Sequence, residues 1–225
     1  MSEMIEAEIP VLRAGLAAAP DRLTREMAGI PEAQMGFRRE EPVWARWSAE
    51  MQLRHMALMI CRWLERFKEP LEEKGYSFPA VDMDAVMSGN GRHIPPVVCP
   101  DREALLSFIY VRCALGAEIL DRESPEILRS LTCNRIVDPE AHYEDSPDRF
   151  IDFARMAAEH HPYGWREVPD QPGHFRVELI AALRQVHWEI LAHLRTVQRL
   201  KGLLGLPEAV ALPREGYLTF PKFYD

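Results

Sequence analysis

Hydrophobic residues recur along this chain every three or four positions over long stretches, the period of helices buried on one face. The clearest stretch follows Ser48, where Leu53, Met56, Ile60, Trp63, Leu64 and Phe67 fall on one apolar stripe. Ser48 is placed to cap this helix, Glu50 suits the positive end of its dipole, and Pro70 marks its end. A second long helix is predicted from near Asp101 to about Arg122, through ALLSFIYVRCALGAEIL. It is apolar over much of its circumference and belongs in the interior. A third is predicted from about His174 to Leu204, with Val177, Ile180, Leu183, Ile190, Leu194 and Val197 as its stripe and Gly205 with Pro207 as its stop. At the N-terminus, residues 3–18 predict a helix interrupted by Pro10; Pro20-Asp21 then starts a second piece that stops at Gly29 and Pro31.

The remaining segments read as connections. Residues 31–46 are polar and contain Pro42, and residues 73–101 hold Gly89-Asn90-Gly91 and Pro95-Pro96. Residues 123–173 read as an irregular polar insertion with a short helix around Pro147–His160. Residues 207–225 carry Pro207, Pro213 and Pro221 among the aromatics Tyr217, Phe220, Phe223 and Tyr224, which suggests an extended tail. Strand-like alternation is scarce. The pattern therefore predicts an all-α fold, an up-and-down four-helix bundle in a single domain over residues 1–225, with helices near 48–69, 101–122 and 174–204 plus the N-terminal one.

Composition narrows the function classes. The 225 residues are 47% hydrophobic, enough for a full core, and the net charge of −8 has no basic block in it, which argues against nucleic acid or an anionic membrane as partner. The start, MSEMIEAEIPVL, is acidic with scattered apolar residues, unlike a signal peptide, and no apolar run approaches the length of a membrane span. Cys61, Cys99, Cys113 and Cys133 are widely spaced without a CxxC pair, so reduced thiols and a cytoplasmic location are expected.

Candidate chemistry lies at the edges of the stripes. Glu189 and His193 are one helical turn apart and differ by about 40° around the axis, so they can reach one ion together. His187 and His193 are rotated by about 120°, and His187 lies nearer the apolar stripe, where a core or supporting histidine belongs. His55 falls about 110° from the centre of its own stripe, at an edge where a ligand facing a cleft would sit. Spacing alone fits a polar helix edge more simply than a metal site. His160 and His161 are adjacent and should diverge, and Cys113 reads as a small core residue rather than a nucleophile. No glycine-rich phosphate loop or GxSxG is present.

The stretch IPEAQMGFRREEPVWARWSAEMQLRHMALMICRWL resembles the N-terminal half of the DinB/YfiT-like metal-binding helical superfamily: Trp47-Ser48 stands at the start of the helix and His55 follows seven residues after that serine. The C-terminal HWEILAHLRTVQRLKGLLGLP resembles the family's metal helix, with Glu189-x-x-x-His193 in place of the commoner His-x-x-x-His, as in the mycothiol-dependent maleylpyruvate isomerase-like branch. The resemblance covers about a third of the chain and leaves out residues 73–173. It implies a divalent ion, zinc or nickel, held by His55, Glu189 and His193, a homodimer, and use of a low-molecular-weight thiol. On that reading the protein is a metal-dependent enzyme acting on a small molecule, a thiol-dependent transferase or isomerase or a hydrolase, with His187 as the candidate general base. The other reading is a non-catalytic, stress-linked helical module for binding or dimerisation, with a structural metal or none.

Overall fold

The computed structural model describes residues 2–89, 91–143 and 149–220. Along the chain run α1 (Ser2–Ala28), α2 (Ala49–Glu65), α3 (Lys68–Glu72), α4 (Met83–Met87), α5 (Arg102–Arg122), α6 (Pro125–Ser130), β1 (Thr132–Ile136), α7 (Phe150–His160), β2 (Trp165–Glu167), β3 (His174–Glu178) and α8 (Leu179–Leu203). The protein is mostly helical. Its four long helices pack in a closed circuit, α1 against α5 and α8, and α2 against α5 and α8. Among the described residues no helix is long and apolar enough to cross a membrane.

Helix α1 is continuous, although Pro10 and Pro20 lie inside it. An interior proline removes one backbone hydrogen bond and costs about 3 kcal/mol. Six residues on one face (Ile5, Leu12, Leu16, Ala19, Leu23 and Met27) are buried, and that burial holds the helix together across both prolines. Helix α2 begins as expected: the Ser48 hydroxyl accepts from the Met51 amide at 3.2 Å. It stops at Glu65, before Pro70. Pro70 instead sits in the first turn of α3, where no intrahelical N–H is required of it. The predicted stripe is buried along its length, and His55 stays half-buried at its edge.

The largest departure lies in residues 123–178. This region is not an irregular insertion: it holds α6, α7 and a three-stranded antiparallel sheet in the order β1-β3-β2. Thr132 pairs with Glu178 and Ile136 with His174 on one side, and Trp165 pairs with Val177 on the other. The expected last helix accordingly starts at Leu179, with residues 174–178 forming β3. Phe175 and Val177 are buried at alternate positions, the strand period. Val177 also lies three residues before Ile180, so one residue satisfies both periods and hides the boundary. The Leu179 amide donates to the Leu131 carbonyl at 2.9 Å and ties the sheet to the start of α8.

The tail is extended only in part. Gly216–Thr219 form a 3-10 turn whose Tyr217 and Leu218 are buried against the helices. The expectations for Pro221, Phe223 and Tyr224, and for the helix start at Pro147, lie outside the described residues.

Candidate metal centre

His55 comes from the middle of α2, and Glu189 and His193 come from one face of α8, which packs on α2. Each offers one ligand atom, and the three atoms lie within 4.8 Å of one another. The two imidazole rings stand 4.7 Å apart between centroids. Glu189 is buried, while His55 and His193 are half-buried at the floor of a cleft of about 880 Å³.

Hydrogen bonds decide which nitrogen each histidine presents. Nδ1 of His55 lies 2.6 Å from the Arg92 carbonyl, which can only accept, so Nδ1 carries the proton and Nε2 keeps its lone pair. Burial first, and His193 second, push the His55 imidazole well below its ordinary value, which keeps it in the neutral form that ligates metals. Both ring nitrogens of His193 also have partners. Its Nδ1 donates to Oε1 of Gln52, three residues before His55 on α2, and its Nε2 faces Glu189 Oε2 at 3.1 Å. A nitrogen lone pair and a carboxylate oxygen do not approach so closely on their own; a proton or a cation must lie between them.

Glu189 is oriented by a buried chain of hydrogen bonds. Gln185, one turn earlier on α8, donates from Nε2 to Glu189 Oε1 at 2.7 Å. Gln185 Oε1 accepts from Nε2 of His161 at 2.9 Å and from the Tyr217 hydroxyl at 2.6 Å. The other nitrogen of His161 accepts from Arg184 Nη1 at 3.1 Å, and Arg184 in turn pairs with Glu8 on α1. Each donor fixes the next acceptor, so the Gln185 amide has one orientation and Glu189 presents Oε2 to the histidines. Metal ligands are held this way in general, with one atom on the ion and the other on a supporting partner.

Trp47 lines the same floor, its ring 5.0 Å from His55 and stacked at 6.2 Å on His193. Arg92 lies over the other rings of the wall, 4.2 Å from Trp47 and 4.5 Å from Tyr143. Six arginines line the cleft (Arg46, Arg62, Arg66, Arg92, Arg135 and Arg199) against three carboxylates, Asp138, Asp152 and Glu189. The site is therefore electropositive within a chain whose net charge is −8.

The donor set fits a first-row divalent ion: two imidazoles and one carboxylate, with room on the cleft side for further ligands. The structure brings together His55, Glu189 and His193. It places His187 elsewhere, so the candidate general base does not line the cleft. His187 is buried, donates from Nε2 to Glu215 at 2.8 Å, and packs so closely on α1 that a side chain at Gly15 would collide with its ring. His161 supports Glu189 through Gln185. Gln185 was not singled out from the sequence, although it sits one turn before Glu189 on the same helix, a spacing that marks a supporting hydrogen bond; Gln52 supports His193 from a different helix, a pairing that no local spacing reveals. Comparison with protein-family models, curated proteins and solved structures finds no significant match to this chain.

Proposed function

We propose that this protein is a metal-dependent enzyme of the DinB-like class, an up-and-down four-helix bundle in which His55, Glu189 and His193 hold one zinc or nickel ion. The observation that carries this reading is that one ligand atom each from His55, Glu189 and His193 lies within 4.8 Å of the other two, while Nδ1 of the two histidines is held by the Arg92 carbonyl and by Gln52. A divalent ion there supplies Lewis acidity and brings a water or thiol ligand towards ionisation near neutral pH.

The chain's own residues provide the rest. Gln52 and Gln185 hold His193 and Glu189 in register, Trp47 shields one side, and the arginines draw an anionic small molecule into a cleft large enough for it together with a low-molecular-weight thiol. A thiol-dependent transfer or isomerisation suits this site best, with hydrolysis as the related alternative. The same reading makes the protein a cytoplasmic homodimer, in keeping with four cysteines that form no disulfide.

The direct contact between His193 and Glu189 also suits a metal-free binding module, with a proton shared across the 3.1 Å gap. Metal analysis after incubation with zinc or nickel separates the two readings. One ion per chain, lost in His193→Ala, supports the enzyme; no uptake leaves the module.

A further inference from the structure

Arg135 sits at an inward-facing position of β1, opposite Phe175 of β3. Its neighbours on that face of the sheet are apolar, with Phe175 and Val177 buried and Trp165 on the adjoining strand. The guanidinium lies in a box of aromatic rings, 5.3 Å from Trp165, 5.8 Å from Trp63 and 5.9 Å from Phe153. Nη1 is shut off from solvent and has no hydrogen-bond partner among the described residues. Burial pushes this guanidinium below its ordinary value; Arg66 pushes the same way, while Tyr143, Glu189 and Tyr217 oppose it.

Other arginines of the cleft have visible employment. Arg62 donates to the Gly91 carbonyl at 3.2 Å, Arg66 to the Asn134 carbonyl at 2.9 Å, and Arg46 to the Glu40 carbonyl at 3.0 Å. The nearby carboxylates are likewise taken. Asp152 is bound by Arg149, and both oxygens of Glu189 are engaged by Gln185 and His193. A buried cation with an orphaned donor is costly to keep, and an arginine in that condition at a cleft wall calls for an anion from outside. The planar guanidinium matches a carboxylate in particular.

We propose that Arg135 is the carboxylate-recognition residue of this cleft, holding the acid end of a small molecule whose apolar body lies against Trp63, Phe153 and Met156. This rests on reading the cleft as a small-molecule site, and it names the class of ligand: an organic acid with an aromatic or aliphatic body. A phosphate ester fits less well. Its second charge and three oxygens need several convergent donors, whereas Arg46, Arg62 and Arg66 already donate to backbone carbonyls.

The test uses the full chain treated with EDTA, so that a metal cannot supply the binding. Benzoate, benzamide and phenyl phosphate are titrated against tryptophan fluorescence, since Trp63 and Trp165 flank the guanidinium. Benzoate is expected to bind saturably, benzamide much more weakly, and phenyl phosphate no better than benzoate. Arg135→Met and Arg135→Gln should each weaken benzoate by about tenfold or more, with circular dichroism reporting their folding. If neither variant folds, the wild-type comparison of benzoate with benzamide still decides whether charge is recognised. Absence of benzoate binding, equal binding of benzamide, tighter binding of phenyl phosphate, or unchanged affinity in folded variants would overturn the assignment. Benzoate binding that appears only with zinc and ignores Arg135 sinks this inference and leaves the metal reading standing. Arg135-dependent binding in a protein that takes up no metal does the reverse.

Discussion

Arg184 donates to Nδ1 of His161 across 3.1 Å, and because a guanidinium cannot accept, this contact fixes the protonated nitrogen of His161 as Nε2. Burial first and Arg184 second hold the His161 imidazole down at about 3. The unfolded chain takes up the same proton near its ordinary value of about 6.5.

A definite pH dependence follows. As pH falls below about 6.5 the unfolded state binds a proton that the folded state refuses until about pH 3, so stability declines with acidification across that window. One such group gives a slope of about 1.4 kcal/mol per pH unit. His55 is held below its ordinary value for the same leading reason, burial, and adds to the trend. Urea midpoints at pH 7, 6 and 5 should fall steadily in the wild type and less steeply in His161→Gln. Equal stability at pH 7 and pH 5 would contradict the buried, neutral His161.

Gln185→Ala tests the chain of hydrogen bonds behind Glu189. It should lower zinc affinity by roughly 10–100-fold, because an outer partner of a metal ligand has been removed. It should also cost about 1–3 kcal/mol of stability, because the Tyr217 hydroxyl and His161 Nε2 lose their shared acceptor. Competition against a chelating dye reads the first effect and urea unfolding the second. Unchanged zinc affinity would show that Glu189 does not need Gln185.

Lys201 and Glu26 form a fully buried ion pair that joins α8 to α1, and Glu26 also accepts from the Ala209 and Val210 amides of the C-terminal segment. Lys201→Met leaves the Glu26 carboxylate without its cation in the interior. The expected loss is about 3–5 kcal/mol, measured as a shift in the denaturation midpoint with zinc binding retained. A change within about 0.5 kcal/mol, the range of ordinary surface substitutions, would rule out this pair as a structural clamp.

The thiols should be present but slow. Cys61, Cys99 and Cys113 are buried and Cys133 is partly covered, and burial pushes the Cys113 thiol up to about 12. Thiol titration should find four reactive groups in the unfolded, unreduced protein and at most one fast group, Cys133, in the native protein. Fewer than four in the unfolded state would mean that disulfides had formed.

The long helices were legible in the sequence because their apolar residues recur over about three turns or more, as from Leu53 to Leu64 on α2. The sheet was not. Its strands span three to five residues, too short to establish alternation, and β3 passes into α8 through Val177, which fits both periods. The candidate ligands were legible for a local reason, since Glu189 and His193 share one turn and His55 edges its stripe. Their supporting residues depend on contacts remote in sequence. His193 meets Gln52 from another helix, and Gln185 meets His161 from the segment before the sheet. Arg135 was hidden for the same reason, because nothing local to β1 marks an arginine that points inward among tryptophans.

The most direct measurement is the metal content of the purified protein after loading with zinc and removal of free ion, for the wild type and for His55→Ala, Glu189→Ala and His193→Ala. One tightly held zinc per wild-type chain and none in any folded variant is the expected result, with helical circular dichroism preserved because the buried stripes, not this half-buried edge, carry the stability. A wild-type protein that holds neither zinc nor nickel, or variants that keep their ion, would contradict the assignment of His55, Glu189 and His193 as the metal ligands.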